Sequence, residues 1–361
     1  MSPEDLFQDV IDQDSAVAQL RKSSQNPVHA YLFVGPKGSC KWDAAKAFAA
    51  MIMNHTNPDH SEERTMNLIR KGEHPDLIRV EPTGNQYRDD DVQEIINEAS
   101  RSPIEGTKKI IVANRFHTAN ETAVGRLLKT LEEPPESVII ILLSEIVPKN
   151  QITIASRCQQ VQFNQISDSK MNAWLTQYVQ DPQTIQLLIT AARGDIDRAN
   201  DLIADPNISY RYELWKRTLE NLKPEGYAIT ATVNEIQKAI DDAQEILAEK
   251  HDREIKDLLD DEKQLGIKTG VRSQLEANHK REIRRFRTDE LEFGFSIFAT
   301  MFQEKIRLNP DEGSLRAVNI IKKANGVMKR NANEKLLLTS LLISLSAVSY
   351  THLTLPTTER V

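Results

Sequence analysis

The residues of this chain whose types and spacing point most directly to chemistry lie between Tyr31 and Ala44. They read Tyr31-Leu-Phe-Val-Gly35-Pro-Lys-Gly38-Ser-Cys40-Lys41-Trp42-Asp-Ala44. An apolar run meets a Gly-Pro and a glycine loop, and an alanine-rich stretch follows. That order predicts strand, phosphate-type loop and helix. The nucleotide-binding form of the pattern is Gly-x-x-x-x-Gly-Lys-Ser/Thr. Its backbone N–H groups cradle phosphates, its lysine reaches the outer phosphates and its hydroxyl ligates Mg²⁺. Gly35, Pro36, Gly38 and Lys41 are in place, but Cys40 stands at the second glycine and Trp42 at the hydroxyl. A Cβ at position 40 penalises the open backbone that phosphates need. An indole offers one N–H donor and no metal ligand. The scaffold is that of an ATPase, and its site is altered.

The elements that would position this loop follow from hydrophobic patterning. Apolar runs at 77–80, 109–113, 138–143 and 161–163 read as further strands. Between them, 62–70, 91–99 and 119–133 carry helical spacing, the last stopped by Pro134-Pro135. Before the loop, Ala16, Val17 and Leu20 mark a helix with Asp14 and Ser15 as cap candidates. Strands alternating with helices imply a parallel sheet covered on both faces. From 167 onward the strand signals disappear. Short helical segments fill 167–204, with Gly194-Asp195 opening the last. Long, charge-alternating helices are expected at 233–261 and 273–308, with a break at 266–270, and a third at 315–346.

Composition bounds the rest. The chain has 361 residues, 39% hydrophobic and 27% charged, with a net charge of −7, a mean hydropathy of −0.48 and a pI near 5.7. That length gives two or three domains with sizeable cores. The acidic balance argues against a protein devoted to gripping phosphate backbone. Two cysteines, Cys40 and Cys158, make neither a disulfide framework nor a zinc quartet, which fits a reducing cytoplasm. No run is long enough to cross a bilayer, so no membrane partner is expected.

Four phrases carry a resemblance. They are His29-Ala-Tyr-Leu-Phe-Val-Gly-Pro36, His74-Pro-Asp-Leu77, Leu127-Leu-Lys-Thr-Leu-Glu-Glu-Pro-Pro135 and Ser156-Arg-Cys-Gln159. On them, residues 7–163 resemble the AAA+ domain of bacterial DNA polymerase III clamp-loader subunits. The charged stretch Glu276-Ala-Asn-His-Lys-Arg-Glu-Ile-Arg-Arg-Phe-Arg-Thr-Asp-Glu290 is similar to delta-prime subunits of actinobacterial type. The resemblance implies an α/β AAA+ P-loop domain at 1–165, a small helical lid at 166–208 and an all-helical C-terminal collar for oligomerisation at 209–347. Val348-Ser-Tyr-Thr-His-Leu-Thr-Leu-Pro-Thr357 is similar to a translated frame of a transposon-type sequencing adapter. Residues 348–361 are therefore expected to be a non-native tail, the alternative being a genuine disordered one.

Within that family the question is motor or non-motor. The motor follows its strand with an Asp that holds Mg²⁺ and a Glu that orients water; here Ala113 is followed by Asn114 and Arg115. The lid arginine of the motor corresponds to Asp197. The resemblance thus implies a delta-prime-like subunit with no cofactor of its own, ATP being bound by a neighbour. Its partners would be motor subunits of tau/gamma type, the delta subunit, the sliding clamp and, through the complex, primer-template DNA, in a cytoplasmic, nucleoid-associated replisome. It would have no autonomous activity and belong to the polymerase holoenzyme. Arg157 occupies the position of an arginine finger supplied in trans; the alternative is a strand-entry arginine paired with a nearby carboxylate. A working tau/gamma-type motor or related AAA+ DNA-repair ATPase is the second reading.

Other candidates carry less. The family's zinc module is missing: His55, His60 and His74 have no cysteine partners, so no metal is expected. His279, Lys280, Arg281, Arg284, Arg285 and Arg287 could meet DNA phosphates, or form a solvated face or subunit contact. The stripe Leu291, Phe293, Phe295, Phe298, Met301, Phe302 and Ile306 reads as helix packing.

Overall fold

The computed structural model describes residues 5–56, 62–82, 86–205, 207–265, 271–328 and 332–350. Contacts divide the chain into two compact units, one of 1–178 with 193–200, the other of 179–192 with the chain from 201 onward.

The first unit contains a parallel sheet of β1 (Ala30–Val34), β2 (Leu77–Val80), β3 (Lys109–Ala113), β4 (Val138–Ser144) and β5 (Gln159–Gln162), in the order β2-β3-β4-β1-β5. Every residue of β1, β3 and β4 is buried, as the apolar runs of a parallel sheet require, and the buried ends include polar Lys109 and Ser144. The helices are α1 (Asp14–Ser24), α2 (Lys41–Thr56), α3 (Glu62–Lys71), α4 (Asp89–Ser100), α5 (Glu121–Glu132), α6 (Ile152–Ala155) and α7 (Asp168–Leu175). α5 begins where the Asn120 side chain accepts the Ala123 N–H, and it buries Ala123, Val124, Leu127 and Leu131 in a core shared with Ile111, Ile140 and Leu142. The His74-Pro-Asp-Leu phrase has a structural task. Buried Asp76 accepts N–H bonds from Ile104, Glu105 and Gly106 at 2.5, 2.9 and 2.8 Å, tying the chain that enters β3. The expected cap at Asp14 or Ser15 is not the one observed. Gln13 holds the cap position without a side-chain bond to the helix, and its amide instead bonds the backbone of Asn164.

α8 (Pro182–Ala192) belongs to the second unit, and α9 (Ile196–Ile203) crosses the boundary. The second unit continues with α10 (Ile208–Glu220), α11 (Gly226–Leu265), α12 (Val271–Leu308), α13 (Glu312–Met328) and α14 (Glu334–Tyr350). α11 and α12 form an antiparallel pair. His251 meets Glu282 at 2.9 Å, His279 meets Glu254 at 2.8 Å, and the two imidazoles stack at 3.9 Å. The phenylalanine stripe is core: Phe293, Phe295, Phe298 and Phe302 are buried, Phe295 and Phe298 against Trp215. The single helix expected over 315–346 is two. Asn333 opens α14, its side chain accepting the Leu336 N–H at 3.0 Å, the role in which asparagine excels. The break expected at 266–270 and the tail from 351 lie outside the described residues; α14 runs to Tyr350. The expected fold class, a parallel α/β sheet covered by helices and followed by an all-helical region, is the one observed.

Candidate functional site

The glycine loop joins β1 to α2 at the C-terminal edge of the sheet, pinned where the Gly35 N–H donates to the Ser144 carbonyl at 3.1 Å. Lys41 Nζ turns back into this loop. It donates to the Gly35 carbonyl at 2.7 Å, to Ser39 Oγ at 3.1 Å and to the Pro36 carbonyl. An ammonium has three N–H groups, so its own loop saturates it. Burial lowers the Lys41 pKa from 10.5 to about 8, against the opposing pull of Glu145, Asp195 and Asp197. Cys40 sits at φ +58°, the left-handed region that costs a side-chain residue about 1–2 kcal/mol. Cys40 thus adopts the conformation that the pattern's glycine would take at this position. Burial pushes the Cys40 thiol up to about 12, so it is a packed, unreactive group.

The start of α9 closes over the loop. Gly38, at φ +67°, lies so near Asp195 that an added Cβ would stand 2.1 Å from its Oδ1. Asp195 Oδ1 accepts the Arg198 N–H at 3.1 Å, its Oδ2 lies 3.4 Å from Lys37 Nζ, and the Ile196 N–H donates to the Gly38 carbonyl. Asp197 stands in the first turn of α9. Two carboxylates therefore flank the loop where a nucleotide would bring its phosphates.

The positions that a motor gives to metal chemistry are joined through two residues the sequence reading missed. The Arg79 guanidinium lies 4.6 Å from the centre of the Trp42 ring. Its Nε donates to Glu81 Oε1 at 2.8 Å, and the same oxygen accepts Asn114 Nδ2 at 2.8 Å. The strand register pairs Val80 with Ala113, which sets Glu81 and Asn114 side by side. The available signal was the two-residue spacing of Arg79 and Glu81, which puts both on one face at the end of β2. Arg115 follows in a left-handed conformation and opens a short 3-10 turn, Phe116–Thr118.

Arg157 lies elsewhere. It precedes β5, and β5 runs parallel to β1 with Gln159 level with Tyr31. Arg157 is thus at the N-terminal edge of the sheet, roughly 20 Å from the glycine loop at 3.3 Å per residue, beyond the reach of its own phosphate loop. Its Nε donates to Glu132 Oε1 at 2.9 Å, Nη2 lies 2.7 Å from the same oxygen, and Nη1 donates to the Thr153 carbonyl at 3.0 Å. Its side chain is 36% exposed. The Leu-Glu-Glu-Pro-Pro and Ser-Arg-Cys phrases, distant in sequence, therefore meet in one ion pair. Burial pushes the neighbouring Cys158 thiol up to about 12.

The remaining candidates are not brought together. Among the described residues no group of three or more His, Cys, Asp or Glu side chains could hold a metal. His60 and the His55 side chain lie outside the description, while His74 is buried and accepts the Asp76 N–H. In the basic run, His279 pairs with Glu254, and Arg287 pairs with Glu334 and Asp241. The side chains of Arg281 and Arg285 are outside the description. Among the described residues no helix is long and apolar enough to cross a membrane.

The sequence of this chain is similar to those of known proteins. Residues 12–167 match the model of a family described as DNA polymerase III, delta subunit. DNA polymerase III subunit tau of Bacillus subtilis is 31% identical over 225 residues, 58% of this chain and 39% of that protein. Subunit delta' of the same organism is 32% identical over 162 residues, 44% of this chain and 49% of that protein. The chain thus spans less than half the length of these relatives. A gamma subunit-related protein from Thermotoga maritima superposes with a TM-score of 0.47 at 16% identity, covering 91% of this chain and 99% of that one. Residues 12–167 are therefore similar to DNA polymerase III clamp-loader subunits, a match that takes in the sheet, the glycine loop and Arg157.

Proposed function

We propose that this chain is a non-hydrolysing, delta-prime-type subunit of a DNA polymerase III clamp loader. It would stand beside an ATP-binding motor subunit of tau/gamma type, lend Arg157 to that neighbour's site and help open the sliding clamp for primer-template DNA. The delta subunit would be a further partner, and the setting the cytoplasmic replisome. The observation that carries the reading is Lys41, whose three N–H groups are all taken by its own loop. Trp42, Asn114 and Arg115 supply no acid for Mg²⁺ and no base for water. The residues present do not fit Mg–ATP, so no chemical step is assigned to this loop. The lid at 166–208 and the collar at 209–347 complete the proposed architecture, the collar carrying assembly through its long helices.

Arg157 supports the trans role by its place at the sheet edge opposite its own loop. A guanidinium keeps its charge and presents a planar fork to phosphate. In phosphoryl transfer such a finger is worth about 10³–10⁵ in rate. The test is a complex reconstituted with motor subunits, clamp and primed DNA. Arg157→Ala should assemble normally, reduce total ATPase partially, because one motor site faces this chain, and reduce clamp loading more. Arg157→Lys should rescue little. Wild-type ATPase and loading in an intact complex would sink the finger assignment. A motor of tau/gamma type remains the second reading, favoured by the 225-residue match to subunit tau.

A further inference from the structure

We infer that Glu132 is the positioning residue for Arg157, holding one edge of its guanidinium so that the outer end of the fork is presented to a neighbour's triphosphate. This rests on the trans reading of Arg157. A guanidinium carries five N–H donors in a fixed plane. Glu132 Oε1 occupies the Nε–Nη2 edge at 2.9 and 2.7 Å, and the Thr153 carbonyl takes one N–H of Nη1 at 3.0 Å. Nη1 and Nη2 each keep a second N–H, and that of Nη2, facing away from the Nε–Nη2 edge, lies at the end of the fork. Two elements supply the clamp: Glu132 ends α5, where Pro134-Pro135 stops the helix, and Thr153 lies on α6.

The energetic consequence is orientation. With side chains 36% and 49% exposed, the Arg157–Glu132 pair is a solvated surface pair that adds little to folding. A free arginine side chain, by contrast, has rotamer freedom that a finger must lose on reaching a phosphate. Glu132 removes much of that freedom beforehand. Misplacement of such a group by 1 Å can cost about 10²-fold in rate.

The experiment uses the full chain in the reconstituted loader, with the other motor sites inactivated at their loop lysines so that the site facing this chain reports alone. Mg–ATP is the probe. Glu132→Ala should lower kcat at that site by up to about 10²-fold, with KM for ATP, assembly and the melting temperature of the free chain unchanged. Glu132→Gln should recover most of the loss, because its amide oxygen still accepts the Nε–H. The double variant Glu132→Ala/Arg157→Ala should match Arg157→Ala alone. If Arg157→Ala is impaired while Glu132→Ala runs at or above the wild-type rate, Glu132 is idle or a competitor and the inference is overturned with the finger reading intact. A double variant slower than Arg157→Ala also overturns it, since Glu132 would act by another route. Wild-type turnover by Arg157→Ala removes the finger reading and the inference with it.

Discussion

Lys41 and Arg157 are cations at opposite edges of one sheet, and the chain treats them oppositely. Lys41 is 9% exposed, its ammonium turned inward on three acceptors of its own loop. Arg157 is 36% exposed, held along one edge by a surface carboxylate. The same sheet thus has one cation folded into the protein and another left at the surface. A buried, saturated amine must break three bonds before it can meet a phosphate. An exposed guanidinium needs only a partner at its open end. On the proposed reading, that difference separates a subunit that uses nucleotide from one that serves a neighbour's.

The comparison can be broken most forcefully at the loop. Gly38→Ala would place a Cβ 2.1 Å from Asp195 Oδ1 and 2.4 Å from its Cα, at φ +67°. The left-handed strain and the overpacking together should cost at least about 2 kcal/mol, read as a lower urea midpoint at unchanged slope. A stability equal to wild type would mean that the start of α9 does not seat on the loop.

The Lys41 amine sharpens the contrast through pH. Its folded pKa, about 8, lies below the ordinary 10.5. Between these values the unfolded chain holds the proton and the folded chain has lost it, so stability rises with pH. Below about pH 8 both states are protonated and the burial cost is constant. The stability of wild type relative to Lys41→Met should therefore climb across pH 8–10.5 and stay flat below it. The thiols act in the other sense: Cys40 and Cys158, raised from 9 to about 12, make stability fall above pH 9, equally in both proteins. A difference curve that is flat throughout would place the amine in water.

At Arg157 the smallest change is expected. Arg157→Ala removes a surface pair worth about 0–1 kcal/mol, so the thermal midpoint of the free chain should barely move. A loss of several kcal/mol would make this arginine a structural strut.

What the sequence revealed depended on how local the cause was. The strands were legible because β1, β3 and β4 are built on apolar runs, and 109–113 was bounded to the residue. The altered loop was legible because Cys40 and Trp42 stand at positions whose chemistry is fixed by spacing, and Cys40 does adopt the glycine-like conformation. The division of 315–346 into α13 and α14 was missed because leucine spacing hid the capping asparagine, Asn333. The Trp42–Arg79–Glu81–Asn114 chain needed the β2–β3 register, and the Arg157–Glu132 pair needed two distant phrases to meet. Beyond the two-residue spacing of Arg79 and Glu81, neither contact is encoded in a spacing along the chain.

The most direct test of the occupied-loop account is calorimetric titration of the isolated chain with ATP and Mg²⁺. With Lys41 saturated by Gly35, Pro36 and Ser39, the account predicts no binding heat at nucleotide concentrations up to the millimolar range, about −4 kcal/mol on the affinity scale. Saturable binding with a Kd of about 1 μM, near −8 kcal/mol, would contradict it and return this chain to the motors.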